Sequence, residues 1–167
     1  MQLIIPPEVV QKLIIALRRA GPREIGGILM GEHVGPDTFC LNSLTIQRRG
    51  GTFSAFMRMA EDIVVPLKTF FRKTQHNYTR FNYLGEWHSH HSFALSPTSR
   101  DQATMYELAI DPQLGAHFVI LLLVRLDDHD RLEVSATVYQ PDKPPVACSI
   151  VQTAILDSNF WMPGPTT

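Results

Sequence analysis

His88, Ser89 and His90 are followed by Asp101, eleven residues after the second histidine. The stretch GEWHSHHSFALSPTSRD, Gly85 to Asp101, holds three of the chain's seven histidines. Residues i and i+2 of a strand face the same side. His88 and His90 at a strand end therefore offer two neutral imidazole nitrogens to one ion. Zinc accepts nitrogen and carboxylate oxygen, and a catalytic zinc keeps three protein ligands with one position for water. Asp101, near the start of the next helix, can be the third ligand. A plainer reading stands beside this one. Thr98-Ser99-Arg100-Asp101 is a good helix start by itself, threonine as N-cap with an acid three residues on, and the helix dipole favours Asp in a first turn in any protein. The His-x-His pair alone also fits two surface or core histidines.

Glu24 adds a further chemical group. A zinc hydrolase needs a carboxylate near the attacking water, to take its proton and pass it to the leaving group. Glu24 stands at the mouth of a strand that opens with Gly26-Gly27, and glycines let another element approach the backbone closely. Its ordinary alternative is a solvated residue at a strand start.

The elements that must position these residues follow from periodicity. After an entry turn at Pro6-Pro7, Val10, Leu13, Ile14 and Leu17 repeat at helical spacing, and Gly21-Pro22 ends that helix. Glu24–Gly31 reads as a strand, although Gly26-Gly27 is poor strand material. Phe39–Ile46 reads as a second strand after a turn at Gly35-Pro36-Asp37. Glu61–Lys73 is helical, with Pro66 as a flaw or a late start. Asn82–Trp87 is a third strand running into His88, and Thr98–Ile110 a helix stopped at Asp111-Pro112. His117–Leu126 is an almost continuous apolar run, a strand buried on both faces. Leu132–Tyr139 alternates as its hairpin partner. Cys148–Leu156 reads as a terminal helix, followed by a frayed tail. This order predicts an α/β (α+β layered) fold, a mixed sheet flanked by helices. The expected organisation is a catalytic domain over 1–145 and a C-terminal segment over 146–167.

Composition narrows the function class. With 167 residues, 44% of them hydrophobic and 19% charged, the chain suits one domain with a real core. A net charge of −1 implies no basic face for nucleic acid. Two distant cysteines, Cys40 and Cys148, give no disulfide framework and fit a reducing cytoplasm; both read as small buried hydrophobes. The apolar run Phe118–Val124 is too short to span a bilayer, so no membrane is expected as a partner. His33, His76, His117 and His129 have no spacing partner and read as surface or satisfied core. Trp87 reads as core, with Glu86 turned to the opposite face. Phe53, Phe56, Phe70 and Phe71 are expected to pack the middle helix onto the sheet.

The residues quoted so far resemble the JAMM metalloprotease family, the MPN+ domain, in its compact prokaryotic JAB-type branch. Glu24-Ile25-Gly26-Gly27-Ile28-Leu29-Met30-Gly31 is similar to the family's glutamate before a Gly-Gly strand. Gly85-Glu86-Trp87-His88-Ser89-His90 is similar to its His-x-His segment, with the Gly-Glu-Trp lead-in of the prokaryotic branch. The interval from His90 to Asp101 is the family's interval, and the likeness runs roughly over residues 3 to 140. It implies an MPN/JAB-like (cytidine-deaminase-like) architecture and one Zn2+ per chain, held by His88, His90 and Asp101 with Glu24 as general base. The family's proline after the second histidine is His91 here: a solvent-facing residue, a substrate contact or a competing ligand. The family's oxyanion-supporting serine is Thr98. Either Thr98 takes that role with the restricted rotamers of a β-branched side chain, or Ser96 or Ser99 substitutes.

The resemblance further implies cleavage after the C-terminal glycine of a ubiquitin or ubiquitin-like protein, in deconjugation or precursor processing. Partners would be that protein, its conjugates and E1-like or E2-like proteins of the same pathway. No long insertion interrupts the motif region, which favours a stand-alone prokaryotic enzyme over a linkage-gripping one. Two other classes compete: a non-catalytic MPN scaffold for protein docking, and a non-haem Fe(II) oxygenase, since two histidines and a carboxylate also suit iron.

Overall fold

The computed structural model of the chain describes residues 1–47, 60–90 and 94–152. Its elements run β1 (Gln2–Ile5), α1 (Pro7–Ala20), β2 (Gly26–Gly35), β3 (Thr38–Leu44), α2 (Ala60–Lys73), β4 (Phe81–Ser89), α3 (Ser99–Ala109), β5 (Val119–Leu126), β6 (Leu132–Tyr139), β7 (Val146–Ala147) and β8 (Ser149–Gln152). The strands form one mixed sheet in the order β7-β6-β5-β4-β2-β3-β1-β8. β2 runs antiparallel to β3 and β4, while β4 and β5 are parallel. The long connection that a parallel pair requires is the segment that carries α3.

Local chemistry sets α1. Pro7 lies at its start, where a missing N–H is harmless, Glu8 sits in the first turn and Arg18 and Arg19 in the last, matching the helix dipole. Gly21 ends it at φ 60, its N–H donating to Leu17 O. Val9, Leu13, Ala16, Leu17 and Ala20 then form a single buried face. That face packs on Leu3, Ile5, Leu29, Leu41, Trp87, Ile120, Leu122 and Val124, where each fully buried large side chain contributes about 1.5–3 kcal/mol.

The other side of the sheet is covered by two helices. Met105, Leu108 and Ala109 of α3 meet Val119, Leu121, Leu123 and Tyr139. Phe70 of α2 meets Ile28 and Met30, with Leu67 and Phe71 at the margin. The expected packing of Phe70 and Phe71 is thus present, while Phe53 and Phe56 lie outside the described residues. Val119 to Val124 are buried throughout, as a strand covered on both faces must be. Among the described residues no helix is long and apolar enough to cross a membrane.

The C-terminal expectation is corrected. Ser149–Gln152 is not helical but is β8, paired in parallel with β1 from Gln2↔Ser149 to Ile5↔Gln152. Val146–Ala147 pairs with β6, so residues 146–152 belong to the same sheet as the rest. The residues after Gln152, the expected frayed tail included, lie outside the described residues. β1 itself precedes Pro6-Pro7 and was not among the expected strands.

Candidate metal centre

Register builds the site at the C-terminal end of β4. The β2–β4 ladder places Gly26 opposite His88 and Gly27 opposite Trp87. A Cβ at Gly26 would meet Trp87 O at 2.6 Å and His88 Cβ at 3.0 Å, and one at Gly27 would meet Thr45 O at 2.3 Å. The two glycines are therefore what allows β3, β2 and β4 to close up beneath the histidines. Trp87 is fully buried in the α1-side core, its indole N–H donating to Thr45 O at 2.8 Å. Alternation turns Glu86, His88 and His90 to the other side.

His88 and His90 converge there. His88 Nε2 lies 3.0 Å from His90 Nε2. Asp101 Oδ1 lies 3.5 Å from His88 Nε2, and Oδ2 lies 3.8 Å from His90 Nε2. All three residues are buried. Ligand atoms 2.0–2.2 Å from a tetrahedral zinc stand roughly 3.3–3.6 Å from one another, and the separations here, 3.0 to 3.8 Å, straddle that range. Among the described residues it is the one group of three or more His, Cys, Asp and Glu residues placed to share an ion.

The surrounding bonds orient the donors. His90 Nδ1 is 3.1 Å from Ala94 O; only an N–H can serve a carbonyl, so Nε2 of the neutral ring carries the lone pair. That lone pair faces His88 Nε2, a contact that requires either a proton or a cation between the two nitrogens. Burial lowers the His88 pKa to about 4, opposed by the Asp101 charge and reinforced by His90. A ring neutral over most of the pH range is what a metal needs.

Asp101 is the helix cap and at the same time faces the two histidines. Its Oδ2 accepts the Thr98 N–H and the Thr98 hydroxyl, both at 2.8 Å, and its own N–H donates to Thr98 Oγ1 at 3.2 Å. This is a complete capping box. The cap holds one oxygen and leaves Oδ1 toward His88, so helix capping fixes the carboxylate that faces the histidines. The hydroxyl of Thr98 is engaged in that cap. Ser96 and Ser99 are exposed, and His91 lies outside the described residues.

Glu24 is exposed and sits just before β2. The β2–β4 ladder ends at Gly26 and His88, so Glu24 lies two residues beyond its last pair, on the β2 side. Ile25, between Glu24 and that pair, has its side chain in the α1-side core.

Glu86 is the residue whose importance the sequence understated. Its face follows from alternation, but its depth does not. It is buried beside the site, Oε1 has no hydrogen-bond partner among the described residues, and burial raises its pKa to about 8. Its cross-strand neighbours are the apolar Ile28 and Leu121, and burial is the cause of the shift. The remaining histidines, His33, His76, His117 and His129, are all exposed. Cys148 is buried and Cys40 half-buried, neither in a disulfide. A cavity of about 540 Å³ lined by Phe39, Phe71, Arg80 and Phe118 lies at the opposite end of β4, away from the ligand cluster.

Comparisons with known proteins agree with this geometry. No curated protein matches the sequence. The fold is shared with a protein of Desulfitobacterium hafniense known from its solution structure: the TM-score is 0.62 and the identity 16%, over 95% of this chain and 97% of that one. A family model describing prokaryotic homologs of the JAB domain matches residues 6–135. That span takes in Glu24, both histidines and Asp101, and by it the chain belongs to the prokaryotic JAB-domain family.

Proposed function

We propose that the protein is a zinc-dependent isopeptidase or peptidase, a JAMM-type metalloprotease. The observation that carries this reading is the convergence of three buried ligand atoms from His88, His90 and Asp101, at a strand end whose neighbouring strand begins beside Glu24. The histidines would hold the ion through their Nε2 atoms and Asp101 through Oδ1. When bound, zinc supplies a Lewis acid for the attacked carbonyl and lowers the pKa of water to about 7.

The chain's own groups divide the remaining work. Glu24 takes the proton of the attacking water and delivers it to the leaving amine, so one carboxylate serves as base and then acid. Its exposed position, two residues before the glycine that faces His88, lets it reach solvent and substrate. Thr98 supports the oxyanion, which requires its O–H to turn from Asp101 Oδ2 to the substrate oxygen. The substrate is the C-terminal glycine of a ubiquitin or ubiquitin-like protein, joined to a lysine or to a following peptide. Its extended tail adds a strand beside the site through main-chain hydrogen bonds. E1-like and E2-like proteins of the same cytoplasmic pathway would supply the conjugates.

The test is Glu24→Gln, measured with peptides and ubiquitin bearing a C-terminal Gly-Gly fluorogenic amide. Zinc content should remain at one per chain while hydrolysis disappears. Zinc loss in this variant removes Glu24 from the role of base. A zinc-loaded wild type that binds a ubiquitin-like protein and cleaves none of these substrates supports a docking scaffold instead. Iron in protein purified without added metal supports the oxygenase class.

A further inference from the structure

Between the two histidines lies Ser89, fully buried and so far without a role. The last paired residues of the β2–β4 ladder are Gly26 and His88. Beyond them β4 leaves β2 and follows β5: Ser89 pairs with Val124, and the His90 N–H donates to Val124 O at 3.0 Å. An antiparallel hydrogen-bonded pair normally exchanges two N–H···O=C bonds. Here the first is kept, Ser89 N–H to Ile25 O at 2.8 Å. In the second, the Ile25 N–H donates to the Ser89 hydroxyl oxygen at 3.0 Å. The side chain stands in for a carbonyl that the diverging strand no longer presents.

The position of that bond matters. The nitrogen of Ile25 is part of the peptide plane that includes Glu24 Cα. Two hydrogen bonds on Ile25, together with its side chain in the α1-side core, fix where Glu24 leaves the sheet. The next tie on the same strand is Gln47 N–H to Gly26 O at 2.8 Å, which holds Gly26 and not Glu24. We propose that Ser89 is a positioning residue for general-base catalysis: its hydroxyl clamps the Glu24–Ile25 peptide to the strand that carries the metal-binding histidines. This rests on the reading of Glu24 as the base. The clamp makes one rigid unit of the base and two ligands, a spacing that proton transfer from an attacking water needs to within a fraction of an ångström.

The experiment compares Ser89→Ala with wild type and Glu24→Gln, as zinc-loaded full-length proteins on the same fluorogenic amides. Ser89→Ala should retain one zinc per chain and an unchanged KM, while kcat falls roughly 10- to 100-fold, the scale of a small misplacement of a catalytic group. A merely structural role would lower zinc content or the active fraction without this split. Wild-type kcat in Ser89→Ala overturns the clamp, and so does a kcat loss that follows zinc loss. Should Glu24→Gln remain active, the hydrolase reading itself fails, whatever Ser89→Ala does. If Ser89→Ala does not fold, amide exchange in the wild type decides. The Ile25 N–H should be protected like those of Gly27 and Ile28; exchange at the rate of an open loop overturns the proposal.

Discussion

The two faces of β4 are built by opposite rules from adjacent residues. Leu84 and Trp87 face the α1 side in a predominantly apolar core. Glu86 and His88, with His90 just past the strand end, face the other way and are as deeply buried. The first face is stabilised simply by leaving water. The second gathers a carboxylate and two imidazoles where water is scarce, and its groups need one another or an ion. The contrast shows how a sheet can carry a reactive centre: one face supplies stability and the other accepts a local deficit. Gly26 and Gly27 keep the faces in register by letting the strands close.

The largest effect expected from this contrast lies on the polar face. His88→Ala, His90→Ala and Asp101→Asn should each lower zinc occupancy and reduce hydrolysis roughly 10³-fold or more, as loss of several kcal/mol of metal assistance implies. Thermal melts should still show a cooperative fold, because the α1-side core does not touch these atoms. Asp101→Asn is the sharpest variant, since it keeps side-chain shape near the cap and removes the charge. Full zinc and full activity in Asp101→Asn would reduce Asp101 to a cap.

On the apolar face the expected loss is in stability. Trp87→Ala should destabilise the protein by about 3–5 kcal/mol, measured by denaturant unfolding. It deletes a fully buried side chain and its hydrogen bond to Thr45 O. Any effect on zinc binding should follow the unfolded fraction. Zinc loss in folded Trp87→Ala would mean that the two faces are not separable.

Glu86 gives an effect of opposite sign. In the metal-free protein its pKa is raised from 4.5 to about 8, so the folded state holds a proton that the unfolded state has released. Stability on this account is fullest below the unfolded pKa and falls as pH rises toward the folded one. At pH 7 the deficit reaches about 3 kcal/mol. Metal-free Glu86→Gln should regain much of it at pH 7 and little at pH 4.5. A gain independent of pH would show that the carboxyl is not neutral in the fold.

The legibility of the chain follows the same division. α1, β5 and β6 are strong local patterns, and Leu132–Tyr139 matches its expected bounds residue for residue. The clustering of His88, His90 and Asp101 was legible because spacing and strand alternation are local. β8 was not: Ser149–Gln152 becomes a strand through its pairing with β1, more than a hundred residues earlier, and its apolar residues alone suit a helix equally. Gly26-Gly27 argued against a strand until the neighbouring carbonyls were in place. The depth of Glu86 is set by Ile28 and Leu121 on flanking strands, and no one-dimensional pattern contains it.

Thr98 gives the smallest effect, and it separates two duties of one hydroxyl. In the cap, Thr98 Oγ1 accepts from the Asp101 N–H and donates to Asp101 Oδ2. Thr98→Val should therefore lower stability by about 1 kcal/mol through the lost cap. It should also weaken zinc affinity about 10-fold, because the ligand carboxylate loses a partner that orients it. Thr98→Ser keeps both bonds with a freer χ1, so its stability and zinc affinity should stay near wild type. The kinetics then discriminate. If the hydroxyl also turns to the oxyanion, zinc-saturated Thr98→Val loses turnover while Thr98→Ser keeps or exceeds the wild-type rate. If zinc saturation restores Thr98→Val to the wild-type rate, the hydroxyl serves the cap and the ligand alone. In that case Ser96→Ala and Ser99→Ala, assayed under the same saturation, identify which exposed serine supplies the donor.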